Sequence, residues 1–209
     1  MEEDKNEVLK KILEWCLCTI IALIMAILTR YYIVTPTLVK QTSMYPTLRA
    51  EERLLISRVT RITNGKYERG DIITFESPSE TNYINLSGST AAYNNEPEGL
   101  IDKFLYYVIE LNKISFIKRV IAIEGDYVEI KEGKVYINGE QLEEDYLPEG
   151  TVTQGGYYNN IRVPQGYVYV MGDNRAESVD SRKFGCIPLE KVEGKVVLRY
   201  WPLSEFGGV

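Results

Sequence analysis

The chain has 209 residues, room for one domain of ordinary size plus a short additional segment, and a net charge of −6 from 30 acidic and 24 basic side chains. Because the two signs are scattered and form no basic stripe, nucleic acid is a poor partner. With no histidine and only three cysteines, the usual zinc ligand sets and any Ser-His-Asp arrangement are excluded by composition, and no metal or other cofactor is expected.

The first predicted element is an apolar helix. No charged residue occurs from Trp15 to Thr29, and residues 12–34 supply the roughly 20 positions that a membrane helix needs. The run is apolar on every face, whereas a soluble amphipathic helix shows polar gaps. Trp15, Tyr31 and Tyr32 suit the two interfaces, and Arg30 can snorkel outward. A cleavable signal peptide is the rival reading, but the span is long for one and no small-x-small site closes it, so an uncleaved anchor is favoured. Lys5, Lys10 and Lys11 before the span, against Arg30 and Lys40 after it, favour an inside N-terminus by a slight margin. Cys16 and Cys18 lie within this span, which leaves Cys186 without a soluble partner for a disulfide.

Downstream, many short strands are predicted. Residues 33–42 read as an extended edge segment containing Pro36, with Ser43 where that strand ends. Strands follow at 53–59 and 72–75, the second preceded by the turn Glu68-Arg69-Gly70-Asp71. Residues 77–99 read as a surface loop. In 100–113, Ile101, Leu105, Val108, Ile109 and Asn112 are spaced for one face of a short helix. Strands are expected at 115–123, 127–130, 134–137, 167–171 and 195–201, with a hairpin turn at Glu132-Gly133 and a second turn at Asn138-Gly139. Residues 146–160 read as irregular. The fold class is mainly β, a sandwich or barrel behind one N-terminal helix.

Four blocks carry the candidate chemistry. The first, Ser43-Met44-Tyr45-Pro46-Thr47-Leu48, offers a serine whose base cannot be imidazole, which makes lysine the leading candidate. The second, residues 67–75, leads Gly70-Asp71 into a strand. The third runs from Phe116 to Asp126. On a strand, Phe116, Lys118, Val120 and Ala122 share one face, and Ile117, Arg119, Ile121 and Ile123 the other. Lys118 thus stands among apolar neighbours, where desolvation lowers its pKa toward the range a base needs. The fourth, from Met171 to Gly185, contains Gly172-Asp173-Asn174-Arg175 and then Ser178-Val179-Asp180-Ser181-Arg182. Taken singly, the first block is an ordinary turn, Lys118 a strand-edge lysine and the last block a polar loop.

In this order, behind an apolar anchor, the four blocks resemble the bacterial type I signal peptidases in their compact, Gram-positive-like form. The resemblance implies a β-rich catalytic domain with a Ser43/Lys118 dyad, which removes signal peptides from exported preproteins after an Ala-x-Ala sequence. It further implies that Ser178 hydrogen-bonds and orients Lys118, that Asp180 and Arg182 form a structural ion pair, and that Val39, Met44, Leu48, Phe116 and Ile117 line shallow substrate pockets. Gln41 stands where family members place a Ser or Gly near the oxyanion hole, so the second oxyanion donor is left open. By the same resemblance residues 1–11 are a cytoplasmic tail, 12–34 a single-pass anchor in the cell membrane and 35–209 an extracytoplasmic domain with an insertion at 77–113. The partners implied are secreted preproteins and the lipid bilayer, and a bacterial source is expected. Two other readings stand beside it. A self-cleaving Ser/Lys repressor-type protease lacks a membrane span, and a catalytically silent relative acting in assembly, for instance of pili, would dock partners on the insertion.

Overall fold

A computed structural model describes residues 2–60, 66–79, 90–93 and 97–209. Residues 80–89 and 94–96 of the predicted surface loop therefore lie outside the described residues. Helix α1 (Glu2–Tyr32) is continuous, as expected for a run without Gly or Pro. Its Asn6–Tyr32 part includes a stretch of mean hydropathy 2.4, none of it buried against the domain. At 1.5 Å per residue that part is about 40 Å long, more than the roughly 30 Å hydrocarbon layer. This is the one described helix long and apolar enough to cross a membrane. The helix stops ahead of Pro36, where Thr35 Oγ1 donates to the Arg30 carbonyl at 2.8 Å.

The rest is two antiparallel sheets. The strands are β1 (Val34–Leu38), β2 (Arg53–Ser57), β3 (Ile72–Glu76), β4 (Ser115–Ala122), β5 (Tyr127–Lys131), β6 (Lys134–Ile137), β7 (Glu140–Gln141), β8 (Asn160–Arg162), β9 (Tyr167–Met171), β10 (Ile187–Pro188) and β11 (Val192–Trp201). The larger sheet has the order β1-β2-β11-β3-β4-β9-β10, and the smaller β7-β6-β5-β8. As expected, β1 with its Pro36 is an edge, where a missing N–H costs no ladder bond. The β5–β6 hairpin turns at Glu132 and Gly133, both at positive φ (51° and 77°), a conformation that glycine adopts without steric cost. Helix α2 (Leu100–Phe104) runs into a π turn at Leu105–Ile109, and α3 (Ser181–Phe184) is a single turn capped by Asp180.

Three expectations need correcting. Ser43 does not close β1: the strand ends at Leu38, and Ser43 lies in a run of turns five residues later. The face assigned to Ala122 fails because β4 carries a bulge. Val120 pairs with Val170 and Ala122 with Tyr169, so Ile121 is the extra residue, and Ile121 and Ala122 both enter the core shared with the smaller sheet. Strand β11 begins at Val192 rather than Lys195. Of the helix expected in 100–113, the part up to Ile109 forms; its first turn is open, with Leu100 and Ile101 88% and 75% exposed, while Leu105, Val108 and Ile109 are half-buried.

Three apolar clusters hold the sheets and place the site. One gathers Phe75, Phe116 and Phe184 edge to face, with ring centroids 6.1 and 6.3 Å apart. The second joins Ile121, Tyr169 and Met171 to Val128, Val135 and Ile161 of the smaller sheet. The third packs Val39, Met44 and Leu48 on Leu54, Ile72 and Val196, and so seats the Ser43 loop on the larger sheet. At about 1.5–3 kcal/mol for each buried Leu or Met side chain, this cluster fixes the loop firmly.

Candidate active site

The loop carrying Ser43 is a compact turn. Tyr45 N–H donates to the Thr42 carbonyl at 3.0 Å and Leu48 N–H to Met44 at 2.9 Å, while Met44 and Leu48 point into the third cluster. Lys118 rises from β4 opposite Ile73 and is 1% exposed. Its Nζ shares a 2.5 Å hydrogen bond with Ser43 Oγ and lies 5.3 Å from the Phe116 ring centroid. Burial lowers the Lys118 pKa from its ordinary 10.5 to about 8, against the upward pull of the Asp180 and Asp173 carboxylates. Half of such a population is neutral, and able to accept a proton, near that pH.

The Gly172–Arg182 segment packs against this pair. Gly172 touches the serine loop so closely that a Cβ there would fall well inside 3.0 Å of both the Ser43 carbonyl oxygen and Ser178 Oγ. Asn174 N–H donates to the Ser43 carbonyl at 3.0 Å. Asp180, fully buried, accepts from Arg182 Nε and Nη2, both at 2.8 Å, and from the Gly172 N–H at 3.0 Å. Burial alone would raise the Asp180 carboxyl, but the Arg182 fork, Gly172 and Ser178 together hold it below the ordinary carboxylate value. Ser178 is buried beside Gly172 and forms no hydrogen bond with Lys118. Its influence falls on Asp180 instead.

A second ion pair went unassigned in the sequence. Arg119 Nε and Nη2 donate to Asp173 Oδ1 and Oδ2 at 2.9 and 2.7 Å, and Thr47 Oγ1 donates to the same Oδ2 at 2.6 Å. The serine loop, β4 and the Gly-Asp-Asn-Arg turn are thereby tied at one carboxylate. The signal was present in Arg119 itself, a second charge in a mostly apolar strand. Arg175 adds a third tie, donating to the Gly172 carbonyl at 3.1 Å and Thr153 Oγ1 at 2.6 Å, and pairing with Glu144. The irregular 146–160 stretch is pinned in this way.

Two cavities meet at Ser43. The larger, about 1100 Å³, reaches Phe116 and Lys118, and the smaller, about 610 Å³, is lined near the serine by Val39, Met44 and Ile117. Leu48 lines neither: it is fully buried behind the loop, a core residue and not a pocket wall. Gln41 is exposed at the mouth of both. The Ser43 backbone N–H makes no hydrogen bond among the described residues.

The family described as signal peptidase, peptidase S26, matches residues 12–201. The chain belongs to this family. Signal peptidase IB of Staphylococcus aureus (strain COL) is 31% identical over 213 residues, covering 94% of this chain and 93% of that protein. Signal peptidase I of Bacillus licheniformis is 30% identical, covering 98% and 96%. Thylakoidal processing peptidase 1 of Arabidopsis thaliana, a chloroplast protein, is 34% identical over 88% of this chain, which spans about half (47%) of that protein's length. A crystal structure of a signal peptidase I from Enterococcus faecalis V583 aligns with a TM-score of 0.42 at 28% identity, over 63% of this chain and 97% of that one. With a plastid relative among the matches, membership by itself does not make the source bacterial. It does make the chain a peptidase, and the N-terminal apolar helix fits a membrane-anchored one.

Proposed function

We propose that this signal peptidase family member is a serine endopeptidase that removes N-terminal signal peptides from exported preproteins, with Ser43 as nucleophile and Lys118 as general base. The observation that carries the reading is the buried Ser43 Oγ–Lys118 Nζ hydrogen bond. Neutral Lys118 takes the Ser43 proton as Oγ attacks the scissile carbonyl, and the resulting ammonium returns that proton to the leaving amine. Water, deprotonated in turn by Lys118, then resolves the acyl-enzyme. The Ser43 N–H is free to receive the oxyanion, and Gln41 at the cavity mouth is the second candidate donor.

The sheet supports a specific binding mode. Strand β9 pairs with β4 only from Arg119 onward, which leaves residues 115–118 of β4 unpaired on that side. A substrate strand laid along this edge alternates its side chains, so the residues one and three before the cut point the same way. Val39, Met44 and Ile117 close that side and admit small side chains such as those of Ala-x-Ala, while Phe116, on the opposite face of β4, lines the larger cavity with Lys118. Residues 1–11 form a cytoplasmic tail, 12–34 the anchor and 35–209 an extracytoplasmic domain with its insertion at 77–113. This puts Ser43 near the surface where signal peptides emerge.

The pH profile tests the base. Because the Lys118 pKa stands at about 8, kcat/KM falls roughly tenfold per pH unit below that value as the amine becomes protonated. A profile flat across the mildly acid range contradicts a lysine base.

A further inference from the structure

The segment joining β3 to β4 ends beside Ser43 and walls both cavities. Tyr106 faces the larger, Glu110 and Lys113 the smaller, and Ile114 faces both, as do Lys40, Gln41 and Ser43. Ion pairs hold this wall in place. Lys113 Nζ sits 2.8 Å from Glu193 Oε1, with side chains 3% and 4% exposed, and 5.7 Å from the Tyr106 ring centroid. Glu110 pairs with Arg58 and, at 3.3 Å, with Arg30 in the last turn of α1.

These pairs have two consequences. The charges along the wall are already neutralised, so what it offers a ligand is apolar: Ile114, 67% exposed, and the Tyr106 ring, which lines the larger cavity with it. The smaller cavity also runs from Ser43 to Arg30 at the end of the anchor. On the functional reading above, on which this inference rests, a signal peptide leaves the membrane beside the anchor, so residues upstream of the cut lie on the wall's side. Ile114 stands four positions before Lys118, about 13 Å along an extended chain and therefore about four substrate residues.

We propose that Ile114, together with Tyr106 on the wall of the same cavity, forms a specificity-determining subsite for an apolar side chain of the signal peptide about four residues upstream of the scissile bond. The test compares two peptides of one cleavage sequence in the full-length, detergent-solubilised protein, one with six residues before the cut and one with three. The ratio of kcat/KM for the longer over the shorter is measured in wild type, Ile114→Ala and Tyr106→Ala. Ile114 is exposed, so its truncation removes no core packing. The expected result is a ratio of about ten or more in wild type that drops about tenfold in Ile114→Ala and also drops in Tyr106→Ala. A ratio unchanged by Ile114→Ala, including an equal loss on both peptides, overturns the subsite while leaving the peptidase reading intact. Failure of wild type to cleave either peptide overturns the peptidase reading and the subsite with it.

Discussion

Lys118→Met is expected to abolish cleavage and at the same time make the folded domain more stable. The loss of turnover follows from removing the one amine bonded to Ser43 Oγ, and should reach at least ~10³-fold. The gain in stability follows from linkage. Lys118 has a folded pKa of about 8 against an ordinary 10.5, so between these values the unfolded chain binds more protons and stability rises with pH. Below about pH 8 the buried ammonium costs on the order of 3 kcal/mol, which methionine, of similar shape and uncharged, does not incur. Against that, Ser43 Oγ loses its partner, at about 1 kcal/mol. The remainder, about 2 kcal/mol, raises the thermal midpoint by several degrees at neutral pH. The pH-dependent rise in wild-type stability between about pH 8 and 10.5 also disappears in the variant. Thermal melts of both proteins across that range, beside a peptide assay, check all three results. A lower midpoint with residual turnover contradicts the assignment of Lys118 as a buried base.

Gly172→Ala is the second variant with a large expected effect, and it replaces neither member of the dyad. The added methyl meets the Ser43 carbonyl oxygen and Ser178 Oγ inside any real contact distance, so the serine loop or the Gly172 turn must shift. The glycine is not at positive φ, so the effect is one of space alone. Displacing the loop by even a fraction of an ångström lengthens the Ser43–Lys118 contact and breaks the Asn174 N–H bond to the Ser43 carbonyl. The expected result is a fall of about 100-fold in kcat with a smaller change in KM, together with about 1–3 kcal/mol of destabilisation. Gly207→Ala, where a Cβ meets nothing, is the neutral control. Equal activity in the two variants contradicts a close-packed serine loop.

What the sequence made legible depended on locality. Lys118 could be read because strand alternation is a short-range pattern and a lysine interrupts it. The hairpin could be read because Glu132-Gly133 carries its turn type in two residues. The bulge at Ile121 could not, since an extra residue shows only against the partner strand. Strands β7, β8 and β10 span two or three residues and have no period to detect. Arg119 and Asp173 are 54 positions apart and meet only in the folded sheet. Ser178 was assigned to Lys118 by resemblance, yet its hydroxyl lies against Gly172 near Asp180, and a contact of that kind is set by loop packing and not by residue type. Leu48 was placed in a pocket by the same resemblance, but a turn that buries Met44 also carries Leu48 into the core.

The measurement that bears most directly on the Ser43/Lys118 dyad is mass spectrometry of the new N-terminus after incubating a preprotein ending its signal in Ala-x-Ala with detergent-solubilised wild type, Ser43→Ala and Lys118→Met. The account predicts cleavage after the second Ala by wild type alone. Cleavage at that bond by either variant, or its absence with wild type, contradicts it.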